Sequence, residues 1–597
     1  MKIIVCCIFL IVNISDNGNA SMESFAPSSS NVLFEDSTKT SDKCYRPCKF
    51  NVKPKRCYYN FKIEPTLDED GKPEITVNGL SPGPPINVCV NDVIVVDVTN
   101  KIPDEFIAIH WHGVEQKGTP YMDGVPMVTQ CPIGYGTTYK YAFIASSPGT
   151  FFYHSDSVSQ QSDGVYGSLI VNQPQPLEPH ASLYDFDRSA ENTLIVAAKF
   201  SKLLTGVLED LKDLRPTSLA INGDEESFKL FVMPGYAYRL RLINAIAIEC
   251  PIIAHVDKDE MFIIAADGKP VKPALAKNIQ LYPGERIDVV VRATQKNGGH
   301  WLKVSGRGAC AGLEAKAMLL YMGFNYTSML QNNPTNSPQQ DDSDSDIIVS
   351  GEMLESEQPV PETPNFNIKQ VYLSIDRNVV KDKKSDHDFK YISDAIPKKP
   401  FFPAPFSLRQ QGVVQINGKS FLYPNTPILL KPKEVRRDMI CKVEEESRHK
   451  EPQCIHVLNA LEGEIVEIVL INEGVVSNDS YTFHMHGYSM EVVGTWQDPS
   501  RKPLSRSRFI QLEQQGKISR NLQYPPIKDT VIVPNRGYTI VRIRPDRGGS
   551  WLFECRSCSL SSLPTAVIIT VPQSIPKAVL DSLPICGNYR PPDILLN

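Results

Sequence analysis

The stretch Ile94-Val95-Val96-Asp97-Val98-Thr99-Asn100 has two counterparts further along the chain. They are Tyr238-Arg239-Leu240-Arg241-Leu242-Ile243-Asn244 and Val466-Glu467-Ile468-Val469-Leu470-Ile471-Asn472. Polar and apolar residues alternate along part of each copy, which is the period of a β-strand with one buried face. Because each copy also ends in asparagine, we interpret the three as equivalent strands of a repeated β domain.

Two further elements recur beside this strand. An Asn-Gly turn precedes each copy, and a strand that combines glycine with aromatic residues follows it. The turns are Asn78-Gly79, Asn222-Gly223 and Asn417-Gly418, and the later strands begin at Gly149, Gly299 and Gly549. Glycine and proline separate short segments throughout the chain, and stretches that could form crossover helices are scarce. The sequence therefore predicts an all-β fold of Greek-key sandwiches.

The chain of 597 residues is too long for one core, and the repeat divides it. We predict a signal peptide at 1–20, a cysteine-containing segment at 21–60, a first domain at 61–175, a second domain at 185–328, an acidic linker at 329–365 and a third domain at 366–590. The linker is polar and carries Asp341-Asp342-Ser343-Asp344-Ser345-Asp346 at its centre, a composition typical of a solvated segment.

The beginning of the chain predicts secretion. Lys2 supplies a positive end, residues 3–14 are apolar, and Gly18-Asn19-Ala20 is a small-residue cleavage site. No later run reaches the roughly 18 apolar residues that a membrane span needs. The net charge of −6 is mild and argues against a nucleic-acid partner. We therefore expect a soluble extracellular protein.

Cysteine usage agrees with secretion. Of the 14 cysteines, Cys6 and Cys7 lie in the predicted signal peptide, and the even number that remains allows complete pairing in an oxidising compartment. Two segments, Asn325-Tyr326-Thr327 and Asn478-Asp479-Ser480, match the N-glycosylation pattern. We predict that Asn325 and Asn478 are glycosylated.

Two His-X-His pairs occupy comparable places in the first and third predicted domains. They are His110-Trp111-His112 and His484-Met485-His486. Histidines two residues apart on a strand point to the same side, and His154 lies on another predicted strand. Imidazoles that converge from separate domains are what a copper or zinc site needs. We therefore interpret these five histidines as candidate metal ligands rather than surface polar groups.

These motifs resemble those of the multicopper oxidases, specifically insect laccase-like members and the related proteins that lack copper ligands. The resemblance covers about residues 44–590. It rests on Cys44, Cys48 and Cys57-Tyr58-Tyr59-Asn60-Phe61, on the His110 to Gly113 motif, on Asp123-Gly124-Val125-Pro126 and Thr129-Gln130-Cys131-Pro132-Ile133, on the segment around His154, on the His484 to Gly487 motif followed by Val492-Val493-Gly494, and on Lys528-Asp529-Thr530-Val531. The resemblance implies three cupredoxin-like domains in tandem. In such enzymes a type 1 copper takes electrons from a phenol, an amine or a metal ion, and a trinuclear copper cluster then reduces oxygen to water.

The resemblance implies that the type 1 site has lost two of its three ligands. Its cysteine falls on Cys555, but its two histidines fall on Tyr481 and Leu560. A thiolate without imidazole partners cannot reproduce the His2Cys geometry of a blue-copper site. We therefore expect electron entry by the usual route to be lost.

The trinuclear cluster is also incomplete. The resemblance implies that the type 2 pair survives as His110 and His484. One type 3 copper would keep His112 and His154 but meet Arg556 as its third ligand. A guanidinium stays protonated and offers no lone pair, so it cannot bind a metal ion.

The other type 3 copper would keep His486, with Asp156 and Glu554 in place of two histidines. Two carboxylates beside Arg556 suggest that ion pairs now fill the space of the metals, because an unpaired buried charge is costly. We call this the salt-bridge hypothesis. The rival hypothesis is a remodelled mononuclear site for copper, zinc or iron at the type 2 pair, helped by Asp156 or Glu554.

The sequence Cys555-Arg556-Ser557-Cys558 admits a residual copper ligand, a redox-active pair or a plain disulfide. We favour the disulfide or an unreactive buried thiol, because a redox CxxC normally opens a helix and this one follows a predicted strand. The resemblance implies a bridge between Cys131 and Cys586, and we also expect bridges between Cys250 and Cys310 and between Cys441 and Cys454.

These observations predict a secreted, catalytically degenerate relative of the laccases. Its role would be binding or structural, in an extracellular matrix such as cuticle or eggshell, with matrix proteins or phenolic small molecules as partners. The alternative is an oxidoreductase with a reduced copper centre that oxidises phenols or metal ions. Copper at reduced stoichiometry is compatible with this alternative, whereas we do not expect a full complement of four ions. We assign no residue a catalytic role.

Overall fold

The structure is a computed structural model, and strands dominate it. It describes residues 44–68, 70–206, 215–257, 260–293, 299–323, 347–361, 367–378, 413–442, 453–474, 479–500, 502–558, 565–584 and 586. The predicted signal peptide and the predicted positions Asn325, Asn478 and Leu560 lie outside the described residues. The α-helices of the described part are short, so the predicted all-β class is confirmed. Among these residues no helix combines the length and the apolar character needed to cross a bilayer.

The first part of the chain forms a sandwich of two four-stranded sheets. Its elements are β1 (Arg56–Leu67), β2 (Pro73–Val77), β3 (Ile86–Cys89), β4 (Val93–Asn100), β5 (Ile109–His112), β6 (Thr138–Ile144), β7 (Gly149–Ser155), α1 (Val158–Ser162) and β8 (Tyr166–Asn172). The sheet orders are β2-β1-β4-β6 and β3-β8-β7-β5. Aromatic rings join the sheets, since the centroids of Trp111 and Phe143 lie 4.9 Å apart. This packing places β5 and β7 side by side.

The second part of the chain forms two six-stranded sheets around one core. Its strands are β9 (Thr193–Lys199), β10 (Ser218–Ile221), β11 (Phe228–Val232), β12 (Ala237–Asn244), β13 (Ile252–Val256), β14 (Met261–Ala266), β15 (Lys269–Ala276), β16 (Asn278–Leu281), β17 (Arg286–Arg292), β18 (Gly299–Gly306), β19 (Glu314–Tyr321) and β20 (Ile348–Ser350). The sheet orders are β10-β9-β12-β17-β14-β15 and β11-β19-β18-β13-β16-β20. The core includes Leu242 from the first sheet and Val304 from the second.

The third part of the chain repeats this arrangement. Its elements are β21 (Asn367–Asn378), β22 (Val413–Ile416), β23 (Ser420–Phe421), β24 (Ile440–Lys442), β25 (Gln453–Asn459), β26 (Glu464–Asn472), β27 (Tyr481–Met485), β28 (Met490–Gln497), α2 (Arg506–Gln514), β29 (Ile527–Lys528), β30 (Thr530–Val533), β31 (Gly537–Ile543), β32 (Gly549–Cys555), β33 (Ala566–Val571) and α3 (Lys577–Ser582). One sheet has the order β22-β21-β26-β31-β28-β29. The other has the order β23-β25-β33-β32-β27-β30, with β24 beside β25. Leu470 and Phe553 pack in the core between these sheets.

The repeated Asn-Gly pairs form tight turns in all three parts. Asn78 and Gly79 have φ angles of 57° and 75°, and the other two pairs also have positive φ at both residues. Each asparagine side chain also holds an adjacent strand: Lys62 N donates to Asn78 Oδ1 over 2.7 Å, and equivalent bonds join Ile195 N to Asn222 and Ser374 N to Asn417. Glycine and asparagine tolerate the left-handed conformation, which explains why this pair recurs.

The asparagines that end the repeated strands have one structural role. Asn100, Asn244 and Asn472 are buried. The amide Nδ2 of Asn100 donates to the Ile133 carbonyl over 2.9 Å, and that of Asn244 donates to the Leu281 carbonyl over 3.1 Å. These bonds tie the end of each strand to a backbone carbonyl group of a neighbouring segment. The three strands are therefore equivalent in contacts as well as in sequence.

Part of the predicted acidic linker at 329–365 belongs to a sheet. Residues Ile348–Ser350 pair in parallel with β16 as β20. Just after this strand Leu354 is buried, and Glu352 Oε1 accepts a hydrogen bond from Ile532 N over 3.2 Å. The apolar residues Ile347, Ile348 and Val349 give this stretch strand character that the acidic composition of the segment concealed. The prediction of a solvated linker is therefore wrong for this stretch.

Disulfides join the described residues both within single parts of the chain and between distant parts. The pairs are Cys44–Cys57, Cys48–Cys89, Cys131–Cys586, Cys250–Cys310, Cys441–Cys454 and Cys555–Cys558. Cys131 and Cys586 are 455 residues apart, so this bridge ties the first sandwich to the end of the chain. It is the pair that the resemblance implied.

Candidate metal centre

Two pairs of neighbouring strands position the candidate ligands. In the first sandwich β5 pairs antiparallel with β7, and His110 lies directly opposite His154. In the third sandwich β27 pairs antiparallel with β32, and His484 lies opposite Glu554. Since alternate residues of a strand share a face, His112 follows His110 to the same side. The first and third parts thus contribute equivalent strand ends to one site.

The five predicted histidines form one buried cluster. Each of them is at most 1% exposed: His110, His112, His154, His484 and His486. Nε2 of His110 lies 3.2 Å from Nε2 of His484, and Nδ1 of His112 lies 3.2 Å from Nε2 of His154. The rings of His112 and His484 stack with centroids 3.6 Å apart. Residues more than 300 positions apart therefore share one buried space.

Backbone carbonyls orient three of these rings. Nδ1 of His110 lies 2.8 Å from the Asp123 carbonyl, that of His154 lies 2.7 Å from the Ser155 carbonyl, and that of His484 lies 3.1 Å from the Asp529 carbonyl. A carbonyl oxygen only accepts, so each Nδ1 donates and each Nε2 of a neutral ring carries a lone pair. This arrangement aims the Nε2 lone pairs of His110 and His484 at each other.

The rings that face each other are held in the neutral form. Burial lowers the pKa of His110 and His112 well below the usual range, and neighbouring histidines lower both further. Burial and then the positive charge of Arg556 lower the pKa of His154. Burial also lowers the pKa of His484, although Asp529 opposes this shift. Neutral imidazole is the form that binds metal ions.

His486 differs from the other four because acidic groups surround it. Its Nδ1 lies 2.9 Å from Asp123 Oδ2, and its Nε2 lies 3.5 Å from Glu554 Oε1. Burial opposes a charge on His486, but the Asp123 carboxylate and Glu554 outweigh burial and raise its pKa to about 9. At neutral pH this ring is a cation between two carboxylates, so a metal ion would have to displace its proton to bind it.

Arg556 lies within the same buried region. Its side chain is 4% exposed, and Nη1 lies 2.8 Å from Glu554 Oε1. Nη2 donates to Gln161 Oε1 on α1, and Gln161 Nε2 in turn donates to the Ala245 carbonyl over 2.8 Å. Burial opposes ionisation of Glu554, but Arg556 and His486 outweigh it and lower the pKa of this carboxyl. Arg556 thus connects all three parts of the chain.

Asp156 does not take the partner that the salt-bridge hypothesis gave it. The close ion pair of Arg556 is with Glu554, and Asp156 Oδ1 is buried without a hydrogen bond. Burial and the nearby Glu554 carboxylate raise the pKa of Asp156 to about 7, with His486 and Arg556 opposing the shift. One carboxylate, rather than two, therefore lies in direct contact with the guanidinium.

The residues at the type 1 position do not fit copper. Cys555 is 1% exposed and is bonded to Cys558, so its sulfur is not a thiolate. Tyr481 is 2% exposed and lies opposite Val533 in the neighbouring strand. A phenol and a disulfide sulfur do not replace the imidazole and thiolate of a blue-copper site. The preference for a disulfide at Cys555–Cys558 is confirmed.

A buried ion pair between Arg286 and Asp529 lies next to the histidine cluster. The sequence did not predict this pair. Arg286 Nη1 donates to Asp529 Oδ1 over 2.7 Å, and both side chains are at most 2% exposed. Asp529 Oδ1 also lies 3.4 Å from His112 Nε2 and 3.4 Å from His484 Nδ1. Burial opposes ionisation of Asp529, but Arg286 outweighs it and lowers the pKa well below the usual range. Arg286 of the second part of the chain thereby keeps the Asp529 carboxylate ionised next to the histidines.

Sequence reasoning missed several residues of the centre for different reasons. Asp123 and Asp529 lie in segments that carried the resemblance, and their position beside histidine motifs could have marked them. Thr530, whose hydroxyl lies 2.9 Å from His112 Nε2, lies in the same segment. Gln161 and Arg286 have no local signal, because only the packing of separate sandwiches brings them to the cluster.

The tandem sandwiches define a protein built on the cupredoxin fold, and comparisons with known proteins agree with this fold. Models of the multicopper oxidase family match residues 62–176, 189–321 and 421–558. The chain therefore belongs to the multicopper oxidase family. The three matches fall on the three sandwiches in order.

Similar proteins include enzymes from plants and fungi. The L-ascorbate oxidase of Cucurbita maxima is 27% identical over 80% of this chain and 83% of its own. Laccase-1 of Botryotinia fuckeliana is 25% identical over 85% of this chain and 80% of its own. Among solved structures, the laccase from Botrytis aclada aligns with a TM-score of 0.66 at 21% identity, covering 89% of this chain and 91% of that chain. The multicopper oxidase from Campylobacter jejuni, described as a metallo-oxidase, aligns with a TM-score of 0.57 at 19% identity, covering 92% of this chain and 99% of that chain.

The histidines of this centre fit a metal ion at the point between His110 and His484. His110 and His484 present lone pairs to the same point, and backbone carbonyls fix both rings, as in many metal sites. The disulfide at Cys555 and the guanidinium of Arg556 lie at positions where the resemblance implies copper ligands. The other compact Cys and His group of the described residues, Cys441, Cys454 and His456, has its two sulfurs bonded to each other.

Proposed function

We propose that this chain is a secreted member of the family that does not assemble the four-copper centre and has a binding or structural role in an extracellular matrix such as cuticle or eggshell. The observation that carries the proposal is the buried ion pair between Arg556 Nη1 and Glu554 Oε1, at 2.8 Å. It takes the place of two imidazoles in the arrangement that the resemblance implies. Matrix proteins and phenolic small molecules are the expected partners.

The ion pair between Arg556 and Glu554 is incompatible with a metal ion bound at the place of the Arg556 guanidinium. Arg556 keeps its proton at any physiological pH and repels a nearby cation. Its two terminal nitrogens are already engaged, one with Glu554 and one with Gln161. Displacing the guanidinium would leave Glu554 buried without its partner, which costs several kcal/mol. The pair therefore acts as a stable substitute for a copper ligand set.

The disulfide at Cys555 supports the proposed loss of oxidase activity, and this support does not depend on Arg556. In a working enzyme of this family the type 1 thiolate is the entry point for electrons. Here the sulfur is part of a disulfide and the neighbouring ligand position is Tyr481. Substrate electrons would have no copper to reduce at this point. The proposal thus rests on two separate positions of the chain.

Charged and polar contacts hold the sandwiches together where copper ions would have done so. His486 of the third part binds Asp123 of the first part at 2.9 Å, and Arg286 of the second part binds Asp529 of the third part at 2.7 Å. Lys528 Nζ, also buried, lies 2.8 Å from Glu285. These pairs couple the three sandwiches without a metal ion. The disulfides described above suit an oxidising, extracellular setting.

An activity assay tests the proposal. The full chain is expressed with copper in the medium, and oxidation of a phenol and of ferrous iron is measured beside a fungal laccase. We expect no turnover above a heat-treated sample of the same chain. Turnover of either substrate that requires bound copper would contradict the proposal.

A second candidate function, metal handling at a mononuclear site, is favoured by one observation. His110 and His484 point lone pairs at each other across 3.2 Å, and neither ring has a proton to place between them when each Nδ1 donates to a carbonyl. A shared cation relieves this repulsion, and a divalent ion with nitrogen preference, such as copper or zinc, suits the space. This function would be an oxidoreductase activity of reduced scope or simple metal binding.

Metal titration separates the second candidate from the first. Calorimetry with Zn²⁺ and Cu²⁺ is carried out on the metal-depleted chain and on the His110→Gln and His484→Gln variants. The partly exposed His255, which pairs with Asp257, provides the control variant His255→Gln. One ion per chain, lost in both cluster variants and retained in the control, supports the mononuclear site. Absence of binding in the native chain contradicts it.

A further inference from the structure

We propose that the disulfide-tied loop at residues 44–57, here called the basic loop, binds acidic polysaccharide through Lys49, Phe50 and Lys53. The loop lies in the N-terminal cysteine segment, which the copper account leaves without a role. The inference rests on the proposed extracellular location, because that location decides which polyanions the loop meets. It does not depend on whether the chain binds copper.

The basic loop is rich in positively charged residues, whereas the whole chain has a negative net charge. The whole chain has a net charge of −6. From residue 44 to residue 63 the sequence contains no aspartate or glutamate, but it contains several lysines and arginines. Arg46 and Lys62 pair with Asp92 and Glu64, and the other basic residues are Lys49, Lys53, Lys55 and Arg56. A local positive potential on an acidic protein can direct a polyanion to this one place.

Covalent and ionic contacts fix the loop to the first sandwich. Cys44 is bonded to Cys57 and Cys48 to Cys89. Arg46 donates to both oxygens of the buried Asp92 carboxylate, over 2.7 and 2.8 Å. Asp92 Oδ1 also accepts a hydrogen bond from the backbone N–H of Lys55 over 2.7 Å. The ends of the loop are therefore held firmly, and a fixed loop loses little conformational freedom on binding.

The side chains at the tip of the loop are exposed. Asn51 has a φ of 56° and turns the backbone at the tip. Phe50 is 52% exposed and Val52 is 51% exposed. Lys49 and Lys53, on either side, are also exposed. Two lysines and an aromatic side chain are thus exposed within five consecutive residues of the loop.

This combination matches the chemistry of an acidic polysaccharide. Sulfate or carboxylate groups can pair with the two lysines, and the face of Phe50 offers an apolar surface to the C–H side of a sugar ring. Tyr45, 57% exposed on the same loop, provides a second aromatic surface. Outside the cell, polysaccharides are the abundant polyanions, so the loop chemistry and the expected compartment favour the same ligand.

Heparin provides a probe for this inference. The full chain and the Lys49→Glu/Lys53→Glu variant are loaded on immobilised heparin and eluted with salt, and affinity for a heparin oligosaccharide is measured by calorimetry. We expect the native chain to bind and the variant to bind about tenfold or more weakly, since each lysine near an anionic surface contributes measurably. The Phe50→Ala variant should weaken the calorimetric affinity with less change in the salt needed for elution.

A matched control keeps the total charge change constant. Lys229 and Lys517 are exposed lysines on other parts of the chain, and the Lys229→Glu/Lys517→Glu variant changes the net charge equally. Retention of heparin binding by this variant supports a local site. Equal loss in both double variants, no binding by the native chain, or tighter binding to duplex DNA or to anionic vesicles than to heparin would each overturn the inference. Circular dichroism establishes that every variant is folded.

Heparin binding and copper content are separate measurements. If the heparin result is negative while the chain is copper-free, the loop inference fails and the proposed function stands. If the chain oxidises phenols and binds heparin at the loop, the proposed function fails and the loop inference stands.

Discussion

The Nη1 atom of Arg556 lies 2.8 Å from Oε1 of Glu554, which precedes it by two residues and is also buried beside the histidine cluster. Residues i and i+2 of an extended strand share a face, so both side chains enter the centre from the end of one strand. This geometry makes the pair compact enough to replace two ligands. The stability of the centre therefore depends on the opposite charges of these two side chains, and single substitutions can remove either charge.

Removal of the guanidinium should destabilise the protein. In the Arg556→Met variant the buried Glu554 loses its closest cationic partner and keeps only His486 at 3.5 Å, and we expect a loss of about 3–5 kcal/mol in the free energy of unfolding. Unfolding in guanidinium chloride, followed by tryptophan fluorescence, measures this free energy. The exposed pair Arg188–Glu191 provides the control, since Arg188→Met should cost about 0.5 kcal/mol or less. Addition of Glu554→Gln to Arg556→Met should restore part of the loss, and equal effects of Arg556→Met and Arg188→Met would contradict the account.

The disulfide at Cys555 should control whether a blue-copper site can be rebuilt. We expect the Tyr481→His/Leu560→His variant to remain colourless with copper, because its sulfur stays bonded to Cys558. Addition of Cys558→Ser frees the Cys555 thiolate and should produce the intense blue absorption of a His2Cys site. Absorption spectra of both variants measure this. A blue band in the variant that keeps Cys558 would show that the disulfide does not block the site.

The buried pair of Arg286 and Asp529 should be essential for assembly of the centre. Arg286→Met leaves Asp529 buried beside His112 and His484 without its main partner, and we expect a loss of about 3–5 kcal/mol in the free energy of unfolding. Arg436→Met removes an exposed guanidinium that pairs with Asp438, and it should have little effect. The same unfolding experiment compares the two variants. A small effect of Arg286→Met would mean that the pair does not hold the sandwiches together.

Glu249 should make stability depend on pH. Burial raises its pKa to about 7, and Asp479 adds to the shift while Arg377 opposes it. A carboxyl with a raised pKa binds its proton more tightly in the folded state, so its contribution is present below about pH 4.5 and is lost as the pH rises through about 7. Glu249→Gln cannot ionise, and it should lose less stability than the native chain between about pH 5 and about pH 8.

Thermal unfolding at both pH values measures the effect of Glu249. The exposed Glu260 gives the control variant Glu260→Gln, which should follow the native chain. The prediction fails if Glu249→Gln loses as much stability as the native chain over the same pH range.

The fold could be predicted because its information is local and repeated. The Asn-Gly turns and the strands that end at Asn100, Asn244 and Asn472 carry conformational demands that a sequence displays directly. Tight turns require positive φ, and a strand end requires a side chain that satisfies buried carbonyls. Three copies of such a pattern identify three equivalent sandwiches.

The centre could be predicted only in part because its partners come from distant segments. Four of the five histidines form two His-X-His pairs, His154 lies on a separate strand, and all five lie together as expected. The partner of Arg556 could not be chosen from sequence, since Asp156 and Glu554 both occupy ligand positions and only packing separates them. Arg286 lies 243 residues from Asp529, and no local pattern marks it. The strand at 348–350 was missed because acidic neighbours concealed three apolar residues.

Copper content tests the central claim most directly. The full chain is produced with ample copper, purified without chelators and analysed for metal by inductively coupled plasma mass spectrometry, with protein quantified by amino-acid analysis. The account predicts at most one metal ion per folded chain and no blue absorption, because Arg556 and the Cys555–Cys558 disulfide occupy ligand positions. Four copper ions per chain with a blue band would contradict it.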